Sequence, residues 1–355
     1  MTLTIDWKVK LGNKTDYGIA HVGCGGIVQY AHAPAYKKAG FRTVAAYDLN
    51  AENAQKVADE TGARVYTSLS DLLADPAVEI VDIAVPPWEQ LGIVRQVAAA
   101  QKHMLCQKPL ADHFPDAVQI VQLAQEAGVK QGIQHQMRWD AGIAASRDMI
   151  RKGMIGQPTD AQIQVSCETP WHMWPWLANA PRLEVMYHSI HYIDSMRSLF
   201  GDPAWVTSRH AKYADQGAVK AETKTITILD YASGLQALVA VNHYNIHGET
   251  FATFKFFGTE GAIEGTIGLM YNYPAGRPDT LVYCQKGKDP VEVILDEMWI
   301  PDAFVGPMAS LMSAIETDGT PYPDTADNLN TLRVVNAAYL SMAENRSVKP
   351  EEIQA

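Results

Sequence analysis

Tyr17-Gly18-Ile19-Ala20-His21-Val22-Gly23-Cys24-Gly25-Gly26 is a short apolar run that ends in a cluster of glycines. It reads as a buried strand, and a helical stretch follows it through about Lys38. Strand, glycine turn and helix in that order put backbone N–H groups at a helix N-terminus, where a pyrophosphate can bind. Gly23 and Gly25 supply a G-x-G pair. The third fingerprint position falls on Val28, where Gly or Ala is usual for close helix–strand contact. Arg42 to Tyr47 reads as a second strand and closes on Asp48, 25 residues after Gly23. An acid at that point suits a ribose 2′-hydroxyl and repels a 2′-phosphate, and neither Leu49 nor Asn50 supplies a neutralising charge. NAD is therefore expected in preference to NADP. The plainer alternative is a tight turn without a ligand, with Asp48 capping the next helix.

Outward from the turn, the same rhythm continues. Glu52 to Glu60 is helical in composition and stops at Gly62, and Ile80 to Val85 is a buried-strand run broken by Pro86-Pro87. Gly92 to Ala100 reads as helix, His103 to Cys106 as strand, and Phe114 to Glu126 as helix before Gly128. Strands alternating with helices imply a parallel sheet covered on both faces. After about Gln136 the pattern changes. Ala161 to Cys167, Thr223 to Asp230, Leu235 to Asn242 and Thr253 to Phe257 alternate with period two or are β-branched, without a helix between each pair. That predicts a mostly antiparallel sheet in an α+β second domain. One strong helix is expected from about Glu184 to Phe200, and the chain returns to helix around Pro307 to Thr317 and Thr325 to Glu344. The expected domains are 1–136 and 137–355.

Composition narrows the class. In 355 residues, 47% are hydrophobic and 19% charged, which is ordinary for a globular protein with a full core. The formal net charge of −11 leaves no electrostatic footprint for nucleic acid or an anionic membrane, so no such partner is expected. No apolar run approaches the ~18 residues of a membrane helix, and Asp6, Lys8 and Lys10 stand where a signal peptide would be apolar. Cys24, Cys106, Cys167 and Cys284 show no C-x-x-C spacing, so neither zinc nor a disulfide framework is indicated. A cytoplasmic protein is expected.

Cys106-Gln107-Lys108-Pro109-Leu110, taken with the glycine turn, resembles the glucose–fructose oxidoreductase / inositol dehydrogenase / rhizopine oxidoreductase (Gfo/Idh/MocA) family, which usually reads Glu-Lys-Pro here. Val85-Pro86-Pro87, Arg138-Trp139, Gly153-Met154-Ile155-Gly156, His191-x-x-Asp194 and Phe257-Gly258-Thr259-Glu260-Gly261 match in order and spacing from about residue 17 onward. The resemblance implies an α/β Rossmann domain followed by an α+β domain with an open, mostly antiparallel sheet. One side of that sheet would carry substrate contacts and the other a subunit interface, so a homodimer or homotetramer is expected. It also implies a dehydrogenase or reductase acting on a sugar, cyclitol or related polyol with NAD(H) or NADP(H) bound, which the acid at Asp48 narrows to NAD. An NAD-using glycoside-cleaving enzyme that works by transient oxidation, and a nucleotide-bound sensor without catalysis, are the alternatives. Expected cofactor contacts are Gly23, Gly25, Gly26, Ile27, Asp48, Pro86 and Lys108.

Oxidising a carbinol needs a base for the hydroxyl proton and a donor that stabilises the developing alkoxide. Lys108 sits at a strand's C-terminal end, where such sheets present ligands, and is assigned to the reacting oxygen. Gln107 in place of Glu removes a negative charge and predicts a lower lysine pKa. On the helix from Glu184, the residues Met186, Ile190, Ile193 and Phe200 share one face, while Tyr187, His191 and Asp194 share another. His191 is the expected proton acceptor, since imidazole titrates near neutrality. Asp194 is read as orienting or packing. Tyr187 stands where the family commonly has Asp, which leaves substrate contact, proton relay or packing open for it. Glu184, His188 and His191 have E-x-x-x-H-x-x-H spacing, but hydride chemistry needs no metal and none is expected; His188 is read as a substrate contact. Thr169 to Trp176 (TPWHMWPW) offers Trp171, His172 and Trp176 either to sugar C–H faces or to core and subunit packing. Arg138 and Asn242-His243-Tyr244-Asn245 complete the polar candidates.

Overall fold

The computed structural model describes residues 4–355. They divide into two units, Val9–Trp139 with Ile300–Leu329, and Asp140–Trp299 with Asn330–Gln354 and the described residues up to Lys8. The first unit opens with β1 (Ile19–Val22), a π-helical turn at Val28–His32 and α1 (Ala33–Ala39). β2 (Thr43–Tyr47), α2 (Ala51–Thr61), β3 (Arg64–Val65), α3 (Leu69–Ala74) and β4 (Ile80–Ile83) follow. α4 (Pro87–Ala99), β5 (His103–Gln107), α5 (Phe114–Ala127) and β6 (Gln131–Gln134) complete the alternation. The six strands are parallel in the order β3-β2-β1-β4-β5-β6, the doubly wound arrangement whose strand order reverses beside β1. Every residue of β1 and β4 is buried, as a sheet covered on both faces requires. Pro87 begins α4 instead of ending a strand, because a proline at the first helical position gives up an N–H that has no helical acceptor.

The second unit contains α6 (Ala141–Arg151), β7 (Pro158–Ser166), α7 (Pro175–Ala178), a second π-helical turn at Glu184–Ser189 and α8 (Ile190–Phe200). Its strands continue as β8 (Trp205–Ala211), β9 (Lys224–Asp230), β10 (Gln236–Asn242) and β11 (Phe251–Gly258). β12 (Gly261–Thr266), β13 (Leu281–Gln285) and β14 (Val291–Glu292) end the series. The eight strands run β14-β13-β12-β11-β7-β10-β9-β8, antiparallel except for β7 beside β10. Burial alternates along β9, β10 and β11, so one face of the sheet packs inward and the other carries residues such as Ile226 and Ile228 outward.

The chain then turns through Ile300–Leu329, which rejoins the first unit. α9 (Val305–Thr317) and the start of α10 (Thr325–Glu344) belong to the first unit. Ile133 N–H of β6 donates to the Pro323 carbonyl, Lys38 pairs with Asp302 at 2.5 Å, and the Phe304 ring packs tilted against His32 at 5.1 Å. The segment thus covers the open β6 edge of the parallel sheet. Conversely, Asp6 N–H bonds Asp148 and Lys8 pairs with Asp296, which ties the chain start to the second unit. Among the described residues, no helix is long and apolar enough to cross a membrane.

Candidate active site

Gly23 has φ +86°, and a Cβ there would lie 2.6 Å from the Ala84 carbonyl oxygen, so the turn after β1 admits only glycine at this point. Gly25 faces open space, which lets a ligand approach the backbone. The helix begins at Gly26, and first-turn N–H groups have no intrahelical acceptor. Asp48 does not cap α2. Asn50 does, accepting from Glu52 N–H, while the Asp48 carboxylate accepts Cys24 N–H and Asn50 N–H at 2.7 Å each. These bonds hold the carboxylate beside the glycine turn. Val28, out of pattern for the fingerprint, is buried against Cys24, Ala46 and Val57 at the start of the π turn, whose wider spiral gives the larger side chain room. Burial pushes the Cys24 thiol up to about 12, so it packs as a small neutral side chain.

Lys108 follows β5 on a segment held by buried amides. Gln90, fully buried on α4, donates to the carbonyls of Gln107 (2.7 Å) and Pro109 (2.8 Å), one on either side of the lysine. Gln107 Oε1 accepts Lys108 N–H at 2.8 Å, and its Nε2 meets His32 Nε2 at 2.9 Å. The other nitrogen of His32 lies 2.7 Å from Asp82, which His21 also approaches at 3.1 Å. Burial opposes the charge of Asp82, yet His32 and His21 outweigh it and hold the carboxyl well below its usual range. Gln107 thus lies between the His32 ring on its Nε2 side and the Lys108 backbone N–H on its Oε1 side, which fixes how the amide is turned. Burial alone pushes the Lys108 ammonium down to about 7. The low lysine pKa expected from Gln107 is thus present with a different cause, because the amide faces His32.

In the second unit, the π turn changes the face assignments made for one uniform helix. Met186, Ile190 and Ile193 are buried as expected. Tyr187 lies in the wider turn, outside the α8 register of His191, with its ring edge-on to Trp176 at 5.3 Å. His191 is 7% exposed and meets Trp299 edge-on at 5.4 Å. Asp194 accepts from Thr331 and lies 3.9 Å from Arg197, so it braces α8 against α10. Glu184 is joined by His188 (3.6 Å) and by His243 at the end of β10 (3.7 Å), not by His191. The aromatic stretch divides between the two readings left open. Trp171 and Trp174 pack on the cluster of Leu177, Leu183, Val219 and Ala221, whereas His172 and Trp176 are exposed. Arg138, expected among the substrate contacts, is buried in the first unit, where its guanidinium bonds Asp327 at 2.7 Å and lies over Tyr322. Asp82 escaped the sequence reading because it sits inside the apolar run Ile80–Val85, where a polar residue looks incidental, and Gln90 because it follows Glu89 at the polar start of a helix, where an amide carries no signal of burial.

Family models match both parts of the chain, one described as an oxidoreductase family with an NAD-binding Rossmann fold at residues 17–135, the other as a GFO/IDH/MocA C-terminal domain at 143–264. The chain belongs to the Gfo/Idh/MocA oxidoreductase family, and its first domain is an NAD-binding Rossmann domain. A D-apiose dehydrogenase from Rhizobium rhizogenes is 27% identical over 95% of this chain and 98% of its own. A 1,5-anhydro-D-fructose reductase from Ensifer adhaerens is 28% identical over 87% and 92%. An Agrobacterium radiobacter oxidoreductase, solved with NAD+, L-tartaric acid and magnesium, superposes with TM-score 0.85 at 25% identity, covering 96% of this chain and 100% of that one.

Proposed function

We propose that this protein is an NAD-dependent dehydrogenase that interconverts a hydroxyl and a carbonyl on a sugar, cyclitol or related polyol. The observation that carries this reading is Lys108, held between two anchored carbonyls at the C-terminal edge of the sheet that bears the dinucleotide turn. Gly23, Gly25, Gly26, Ile27, Asp48 and Pro86 fit the dinucleotide: the first four line the turn and the helix start, Asp48 serves the ribose, and Pro86 lies between β4, the strand beside β1, and α4. The nicotinamide supplies hydride transfer. Lys108 donates to the reacting oxygen and stabilises negative charge there, and His191 takes the hydroxyl proton at its imidazole and returns it in reverse. Trp176, His172 and Tyr187 are the side chains we assign to the sugar surface, and His188 to its polar groups. The relatives named for sugar redox chemistry support the substrate class.

We further place the protein in the cytoplasm, in keeping with four free cysteines. We assign self-association to the outward face of the eight-stranded sheet, where Ile226 and Ile228 are 54% and 37% exposed. The test of the function is NADH absorbance with purified protein, NAD+ and a panel of aldoses, inositols and anhydrosugars. A substrate-dependent signal that falls at least about 100-fold in both Lys108→Ala and His191→Ala is expected. Silence across the panel, or a signal that survives both substitutions, overturns the reading; release of an aglycone without NADH accumulation would favour glycoside cleavage instead.

A further inference from the structure

Glu184, His188 and His243 form a compact group that hydride transfer does not require. One ligand atom from each lies within 4.8 Å of the others. Glu184 Oε1 is 3.6 Å from His188 Nδ1 and 3.7 Å from His243 Nε2. A charge-assisted hydrogen bond would close either gap to about 2.8 Å. Four ligands at about 2.1 Å around a tetrahedral ion stand about 3.4 Å apart, much nearer the observed spacing. His243 Nε2 is buried and makes no hydrogen bond, although the side chain is fully enclosed. Its ring cannot turn away cheaply, because Nδ1 is engaged by Thr169 Oγ1 at 2.6 Å, the outer-shell contact that fixes which nitrogen faces inward. The Glu184 carboxylate is fixed as well, accepting from Ser189 Oγ at 2.5 Å and from Thr225 Oγ1. The π turn brings Glu184 and His188 to one side, and β10 delivers His243 from a distant part of the chain.

We propose that Glu184, His188 and His243 are the ligands of a divalent first-row transition-metal ion, held as a two-histidine, one-carboxylate site. Imidazole nitrogen and carboxylate oxygen suit zinc and its neighbours. Three protein ligands leave a position for an oxygen ligand, a water or a sugar hydroxyl. His188, with a quarter of its side chain exposed, is the side from which ion and ligand enter. The E-x-x-x-H-x-x-H spacing groups Glu184 and His188 with His191, whereas the residue that joins them here is His243, just after β10.

The test uses the untagged full chain stripped with chelator. Zn2+ is measured by equilibrium dialysis and metal analysis, and Co2+ by its visible absorption. One Zn2+ per chain is expected, with affinity falling at least about 100-fold in His188→Ala and in His243→Gln but unchanged in His247→Ala. Co2+ should give ligand-field bands without a thiolate charge-transfer band. No stoichiometric binding, full affinity in either ligand variant, or a thiolate band that brings in Cys167 would each overturn the assignment. Circular dichroism checks folding; if the buried His243→Gln does not fold, the part-exposed His188→Ala carries the test alone.

Discussion

Lys108 should titrate like a group far more acidic than an ordinary lysine, and the consequence is measurable without knowing the substrate. Burial takes it from 10.5 to about 7. At pH 7 about half of its amine is neutral, against roughly one part in 3,000 for an exposed lysine, an advantage of about 1,600-fold. Intrinsic nucleophilicity falls with basicity; a slope of about 0.4–0.5, as for thiols, removes roughly 25- to 60-fold of that. A net preference of about 30- to 60-fold remains before access is counted. Competitive acylation with a trace of acetic anhydride between pH 5 and 10, followed by peptide mass spectrometry, reads the titration midpoint, which does not depend on access. A midpoint near 7 is expected, and one near 10 would refute the argument.

The same shift has a stability signature with a definite sign. Between about pH 7 and 10.5 the unfolded chain holds this proton and the folded chain does not, so the Lys108 contribution to stability rises with pH across that window. Below it both states are protonated and the penalty for the desolvated charge is complete. Lys108→Met should therefore be more stable than the wild type in urea at pH 6, with the gain fading toward pH 10. A constant difference, or a loss at pH 6, would contradict the assignment.

Gln107→Glu directs its new carboxylate at His32, where the Gln107 amide already lies, and not at the lysine ammonium, so the Lys108 labelling midpoint should move by less than about one unit. A rise of two or more would show that the new carboxylate reaches the lysine. Asp48→Asn keeps an acceptor for Cys24 N–H but removes the charge; NAD+ affinity in a fluorescence titration should fall about tenfold while the preference over NADP+ narrows. Gln90→Leu strips donors from two buried carbonyls and should cost about 2–4 kcal/mol in urea unfolding, with a much smaller loss arguing that another donor replaces the amide.

Much of the framework was legible because it is local. The run through Val22, the glycines after it and Asp48 lie within one strand–turn–helix–strand unit, and their spacing carries the dinucleotide fold directly. The alternation along β9, β10 and β11 likewise declares a sheet with one covered face. The return of Ile300–Leu329 to the first unit left no such trace. An apolar helix pattern states that a face will be covered, not which sheet edge will cover it. Pro323 beside Ile133 is a pairing of residues 190 positions apart.

The site residues divide along the same line, and the two π turns show why. Both occur where chemistry-bearing side chains gather, at Val28–His32 and at Glu184–Ser189. A period of 3.6 residues, the natural assumption for any amphipathic stretch, groups Tyr187 with His191 and Asp194. The wider turn breaks that grouping and leaves Glu184 and His188 beside His243. Likewise His32 reaches Asp82 and Gln107 from the end of a π turn, joining β4, β5 and the glycine-turn helix. A π turn needs stabilising partners outside the helix, because its own geometry is less favourable than the α-helix it replaces. In both places those partners are buried polar groups, so the departure from regular helix and the polar cluster support one another. A scan of this chain by periodicity alone is therefore weakest at the positions where its charged and imidazole side chains converge.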